Sequence, residues 1–206
     1  MTRYGMVIDL ARCMGCQTCA VYCKSANNLP QGVWWNRVET EGGTYTDAAG
    51  GTDAAPELSF RPIGCQHCAT PACAAVCPTG ATTKDPETGI VHIDGDVCIG
   101  CKSCMQACPY NVRTCLEEEP VWDIAHATGF PDAPKHQQNT VEKCTFCYQR
   151  IERGEEPACM VLCPARARFF GDLDDPDSAV SRVMAGREAE QLLVEEGTDP
   201  SVYYLR

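Results

Sequence analysis

The chain has 206 residues and a formal charge of −11 at pH 7, from 17 basic against 28 acidic side chains, which argues against nucleic acid as a partner. Residues 1–5 hold no apolar run of the secretory kind. No stretch reaches the roughly 18 apolar residues of a membrane-spanning helix, so a soluble chain with no direct membrane span is expected. Seventeen cysteines are the first anomaly. At about 8% of the residues they imply either a disulfide framework or metal and cluster ligation, and an odd count suits a fully paired disulfide scaffold poorly.

In chain order, residues 4–9 read as a strand that leads into a first cysteine group, Cys13, Cys16, Cys19 and Cys23, spaced C-x2-C-x2-C-x3-C. A helix is expected over 17–27. Residues 36–57, rich in Gly, Thr and Ala, read as a surface insertion placed against partners. A strand at 58–63 precedes the second group, Cys65, Cys68, Cys73 and Cys77, spaced C-x2-C-x4-C-x3-C. Another at 90–93 precedes the third group, Cys98, Cys101, Cys104 and Cys108, which repeats the first spacing. Residues 116–143, with Trp122, His126 and His136, read as a second insertion. The fourth group, Cys144, Cys147, Cys159 and Cys163, has a wider middle gap and overlaps a helix at 146–153 that Gly154 ends. A strand at 168–170 follows. In the tail, Ser178 is a candidate cap for a helix running to about Glu196 with an interruption at Gly186, and 201–205 is a candidate last strand.

The spacing has a mechanical reason. Three cysteines two residues apart let a short loop wrap a cubane iron–sulfur cluster and reach three irons. The fourth, three residues on, is carried away by a turn of helix and ligates the neighbouring cluster. Groups therefore come in pairs, and four groups imply four clusters. Proline follows the last cysteine in three of them, as Pro78, Pro109 and Pro164, while Lys24 stands there in the first. A zinc site would space two C-x2-C pairs by a dozen or more residues, which only the fourth group approaches. Strand, cluster loop and helix, repeated, is the pattern of a bacterial two-cluster ferredoxin.

The runs at 4–10, 98–101, 107–110, 143–147 and 170–173, with the closing 197–205, resemble the iron–sulfur subunit of the DMSO reductase (molybdopterin oxidoreductase) family over nearly the whole chain. The nearest branch is that of polysulfide, tetrathionate and respiratory arsenate reductases; formate dehydrogenase subunits of this type carry a C-terminal membrane helix that is not seen here, which argues against that branch. This resemblance implies an α+β fold of two ferredoxin-like two-cluster units, one inserted in the other, with loop insertions and a helical tail. The outer unit would comprise residues 1–60 and 116–206, and the inserted unit 61–115. It also implies four 4Fe–4S clusters: one on Cys13, Cys16, Cys19 and Cys163, and its neighbour on Cys144, Cys147, Cys159 and Cys23. The inserted unit would use Cys65, Cys68, Cys73 with Cys108, and Cys98, Cys101, Cys104 with Cys77. Relatives with tryptophan at the second position of the third group hold a three-iron cluster there, whereas Cys101 implies four irons.

The implied role is a non-catalytic electron wire. Its Cys13 end would face a molybdopterin-bearing catalytic subunit and its Cys98 end a membrane quinol-handling subunit, at the extracytoplasmic face of the cytoplasmic membrane after export with a signal-bearing partner. The cytoplasm is the alternative location. A soluble polyferredoxin serving a hydrogenase or other redox enzyme is the alternative function, and a metal-structured interaction module without redox work is a third.

No catalytic constellation is visible. Cys115 reads as a core cysteine, and His67 and His92 as packing residues. His126 and His136 are candidates for flanking a partner, and Trp34, Trp35 and Trp122 for packing or subunit contact. Gly15 and Gly100 are placed to let the backbone close on a cluster.

Overall fold

The computed structural model describes residues 2–42, 48–124 and 126–206. Its first half runs β1 (Tyr4–Asp9), α1 (Thr18–Ala26), β2 (Asn36–Thr40), β3 (Gly50–Thr52), β4 (Ala55–Glu57), β5 (Phe60–Gly64), α2 (Ala72–Ala75), β6 (Thr82–Lys84) and β7 (Val91–Ile93). The second half runs α3 (Ser103–Gln106), β8 (Thr114–Leu116), β9 (Thr140–Glu142), α4 (Tyr148–Glu152), α5 (Ala158–Val161), β10 (Arg168–Asp172), α6 (Ala179–Met184), β11 (Ala189–Glu190) and β12 (Val202–Leu205).

β1 is buried from Gly5 to Asp9 on both faces, which suits only an interior strand. It pairs antiparallel with β10, Ile8 opposite Arg168, and parallel with β12, Asp9 opposite Leu205. β11 closes the four-stranded sheet on the far side of β12. The strand period of two then divides the side chains. Val7 and Leu205 meet Val180 of α6 on one face, while Met6, Ile8, Tyr204 and Phe146 form a core on the other, toward the cysteine loops. The remaining strands form four two-stranded antiparallel ribbons, β2–β5, β3–β4, β6–β7 and β8–β9. Mixed α and β structure is as expected, and the predicted strands and helices before residue 178 recur with ends shifted by one or two residues.

Three expectations need correction. Residues 36–57 are not all surface insertion: β2 pairs residue for residue with β5, and Trp35 and Val38 are buried. Its single apolar residue hid the strand, because Asn36 and Thr40 share the buried face with Val38. Residues 43–47 of that stretch lie outside the described residues. Within 116–143, Leu116, Val141 and the side chain of His136 are buried, so β8, β9 and the residues before β9 belong to the fold, and the exposed residues fall mostly in 117–124 and 126–128. The tail is not chiefly helical. Ser178 does cap α6, its Oγ accepting from the Ser181 amide at 3.2 Å. The helix nevertheless stops at Met184, before the left-handed Gly186, and a short strand, a 3₁₀ turn and β12 follow. Tyr204 and Leu205 are fully buried, because β12 is an inner strand of the main sheet.

Candidate cluster sites

Each cysteine loop turns on a left-handed residue two positions after its first cysteine: Gly15 (φ 68°), His67 (41°), Gly100 (64°) and Phe146 (56°). That conformation aims backbone N–H groups inward. The Phe146 amide donates to Cys144 Sγ at 3.4 Å, and Ala167, Thr82 and Val141 donate to Cys163, Cys77 and Cys98 at the same distance. In the first and third groups the helix carrying the next cysteine starts at a second left-handed residue, Gln17 before α1 and Lys102 before α3.

The fold draws distant cysteines together. Burial and the charges of Cys19 and Cys163 push the Cys13 thiol up. Cys23, fully enclosed, is pushed up by burial and by Cys144, Cys159 and Cys147. Burial, with Cys65, Cys73 and Cys108 nearby, raises Cys68 to about 11. Cys104 has Cys98 and Cys101 as neighbours, and Cys101 in turn feels Cys77. Between these groups, Cys159 feels Cys19 and Cys144 feels Cys65. Cys115 is only half-buried, beside Lys102 and Glu117 and near Cys98 and Cys104.

Two hollows are walled by cysteines from different groups. Cys23, Cys65, Cys144, Cys147 and Cys159 share one with Met6, Ile8, Phe146 and Asn36. Cys65, Cys68, Cys73 and Cys108 line a second with Val91, Tyr110 and Val112. Asn36 Nδ2, buried in the first wall, has no hydrogen-bond acceptor among the described residues. Among those residues no three His, Cys, Asp or Glu converge tightly enough to grip one metal ion. Thiols around an apolar hollow, amides aimed at sulfur and a spare buried N–H fit a cubane cluster with its own sulfides.

The exposed thiols are tuned the other way. Cys16 and Cys101 are lowered by the hydroxyls of Thr18 and Ser103, at 3.3 and 3.5 Å. For Cys77, burial is outweighed by the amides of Thr82, Thr79 and Ala81 and the Thr79 hydroxyl, which hold its thiol down to about 7.

Sequence reasoning missed two arginines that enter these sites. Arg168, 6% exposed, donates to Cys19 Sγ at 3.4 Å, Cys159 Sγ at 3.6 Å and Asn36 Oδ1 at 3.2 Å. Arg113, 4% exposed, donates to Cys73 Sγ at 2.8 Å and Thr82 Oγ1 at 3.3 Å. Each stands five residues after the last cysteine of its group, Cys163 and Cys108, and that spacing was the available signal. The other candidates divide. His67 is fully buried and stacks on Phe146 at 3.7 Å, which joins the second loop to the fourth. His92 packs edge-on to Tyr148. His136 is enclosed, while Trp34, Trp122 and His126 are exposed.

The 4Fe–4S dicluster domain family matches residues 56–124 and 130–173. Full-length relatives agree. A Halobacterium salinarum protein provisionally assigned as the iron–sulfur subunit of a dimethyl sulfoxide reductase is 50% identical over all of this chain and 79% of its own length. The iron–sulfur subunit of the arsenate respiratory reductase of Shewanella sp. is 37% identical over 99% of this chain and 96% of its own. A tetrathionate reductase subunit of Salmonella typhimurium is 38% identical over 98% and 72%. The chain belongs to the iron–sulfur subunits of the DMSO reductase family. It is an electron-transfer subunit rather than a catalytic one, and 4Fe–4S clusters are its cofactors.

Proposed function

We propose that this subunit holds four 4Fe–4S clusters in a row and relays electrons between a membrane quinol-handling partner and a molybdopterin-containing catalytic subunit of an anaerobic respiratory reductase. Cys13, Cys16, Cys19 and Cys163 hold the first cluster, and Cys144, Cys147, Cys159 and Cys23 the second. Cys65, Cys68, Cys73 and Cys108 hold the third, and Cys98, Cys101, Cys104 and Cys77 the fourth. The first two belong to an outer unit, residues 1–60 and 116–206, and the last two to the inserted unit 61–115.

The observation that carries this reading is the unbroken succession of cysteine groups, with Cys19 near Cys159 and Cys144 near Cys65 where one group meets the next. Each bound cluster supplies one-electron redox chemistry with little rearrangement. The chain's own residues fix the spacing, exclude water from the inner sites and donate hydrogen bonds to sulfur. At the Cys13 end, exposed Met14, Val161 and Leu162 lie with the basic Arg12 and Arg166, a face we assign to the catalytic partner. At the Cys98 end, Val76, Val97 and Ile99 are exposed without a comparable basic cluster, a face we assign to the membrane partner. In this reading the assembly works at the extracytoplasmic face of the membrane.

Anaerobic purification of the native complex tests it. About sixteen irons per chain and as much sulfide are expected, together with a molybdenum-containing protein that co-purifies. About eight irons in fully loaded material, or a chain isolated without such a partner, overturns it.

A further inference from the structure

We propose that Arg168 and Arg113 are matched buried counter-charges, each lying between the two cluster sites of one ferredoxin unit and raising the redox potentials of both. The inference rests on the four-cluster reading and goes beyond it, because it assigns a role to residues that ligate nothing.

Geometry carries it. Arg168 Nη2 reaches Cys19 and its Nη1 reaches Cys159, which belong to different sites of the outer unit. Arg113 Nη2 reaches Cys73 of one site in the inserted unit, and its Nη1 reaches Thr82, whose amide donates to Cys77 of the other, where the guanidinium charge also acts on Cys104. Each guanidinium is held by a neutral oxygen as well, Asn36 Oδ1 or Thr82 Oγ1. Among the described residues, neither forms a salt bridge with any carboxylate, although most other arginines do. Both occupy the fifth position after a Cys-Pro closing cysteine, so two separately placed groups arrive at one arrangement.

A guanidinium buried without an anion is strongly disfavoured by desolvation. The anions available here are thiolates, and their charge together with that of a bound cluster grows by one unit on reduction. A fixed neighbouring cation therefore favours the reduced form at both sites it touches, and interaction at low dielectric is strong. Arginine keeps its charge at every working pH, so the effect does not titrate. The two arginines thus act on separate pairs: Arg168 on the Cys13–Cys163 and Cys23–Cys144 sites, Arg113 on the Cys65–Cys108 and Cys77–Cys98 sites.

The test uses the full-length chain, loaded anaerobically, with iron analysis and EPR-monitored redox titration of wild type, Arg168→Gln, Arg113→Gln and the two Lys variants. Each Gln variant should lower the reduced-to-oxidised ratio of two clusters at least tenfold at fixed potential, about 59 mV downward for a one-electron couple. The other two clusters should move much less, and Lys should restore most of the shift. Wild-type iron content with all four potentials unmoved, or an equal shift in all four, overturns the proposal. If a Gln variant fails to load, a Lys variant that loads with near-native potentials supports the charge role, and one that fails equally overturns it. Wild type holding about eight irons would instead strike the four-cluster reading itself.

Discussion

The loops at Cys13 and Cys98 and the loops at Cys65 and Cys144 meet one backbone demand with different residues. All four need a left-handed residue two positions after the first cysteine. Glycine supplies it in the outer pair, at Gly15 and Gly100, and His67 and Phe146 supply it in the inner pair. A side chain in that conformation costs about 1–3 kcal/mol unless the surroundings hold it. Here the two strained residues hold each other, stacked at 3.7 Å with 19° between the rings. The His67 Nδ1 also accepts from the Val91 amide at 3.1 Å. Glycine stays where there is no room, since a Cβ on Gly15 would overlap the Phe60 ring and one on Gly100 the Asn139 carbonyl. Inner loops are thus fastened by packing, and outer loops by the absence of a side chain.

The largest effect should separate a buried thiol from an exposed one. Burial and the charges of Cys147, Cys65 and Cys159 hold Cys144 well above the ordinary thiol range, whereas Ser103 lowers exposed Cys101. Cys144→Ser should lose a whole inner cluster, about four irons, and unfold more readily. Cys101→Ser should lose about one iron and keep the fold, leaving a three-iron cluster. Iron analysis and thermal melting measure both, and equal losses would erase the distinction between inner and outer sites.

Next in size is a buried pair that braces the inner hollow. His136 Nδ1 lies 2.7 Å from Glu142 Oε1 and its Nε2 2.9 Å from the Asn27 carbonyl. Asn27 Nδ2 in turn approaches Cys23 Sγ at 3.6 Å. Burial opposes charge on the ring, but Glu142 and the Asn27 carbonyl outweigh it and hold the His136 pKa above its ordinary value. A raised histidine contributes stability that is fully present below about pH 6.5 and is lost as pH climbs through the raised value. His136→Phe should therefore cost about 3–5 kcal/mol in acid, and the deficit should shrink in alkali. Denaturant melts on either side of neutrality read this, and a pH-independent deficit would make the residue mere packing.

A third expectation concerns the cluster-free chain. Burial first, then neighbouring charge, raises Cys68 to about 11, and burial raises Cys159 to about 11 despite the opposing Arg168. A thiol whose pKa is raised by folding keeps its proton longer than in the unfolded chain. Stability then falls as pH rises from about 8.5, the unfolded thiol value, to about 11. Cluster loading should abolish that slope if, as proposed above, these thiolates are ligands. Melting temperature against pH, with and without clusters, is the measurement.

Legibility in the sequence followed the chemistry that spacing encodes. The cysteine groups, β1, the Ser178 cap and the last strand could be read locally. β2 could not, since Asn36 and Thr40 look like surface residues until the pairing with β5 buries them and Arg168 donates to Asn36 Oδ1. Trp34 and Trp35 are adjacent yet one is 47% exposed and the other 4%, a division set by the Cys23, Leu29, Val33 and Leu116 side chains that Trp35 packs against. The apolar residues of 179–196 promised a longer helix, but the partner strand β12 drew that segment into the sheet. Arg113 and Arg168 escaped because arginine is expected outside unless paired, and each has a cysteine partner far away in the chain, Cys73 and Cys19.

The smallest effect compares the two glycine loops directly. Alanine at Gly15 or Gly100 must adopt a left-handed φ, at roughly 1–2 kcal/mol each. The difference between them lies in what the new methyl meets. At Gly15 it meets the ring of Phe60, a half-buried side chain rather than backbone. At Gly100 it meets the backbone carbonyl of Asn139, whose own amide is tied to the Leu116 carbonyl at 2.6 Å. Asn139 leads straight into β9, whose Val141 amide donates to Cys98 Sγ. Moving that carbonyl loosens a hydrogen bond to Cys98 Sγ as well as a ribbon. Gly15→Ala should therefore cost little beyond the backbone term and retain full iron. Gly100→Ala should melt lower and lose iron first from the site that holds Cys98, read by iron analysis and by the EPR of that cluster. Equal costs would mean that the ring of Phe60 is as fixed as the backbone, and that packing fastens the outer loops as firmly as it does the inner ones.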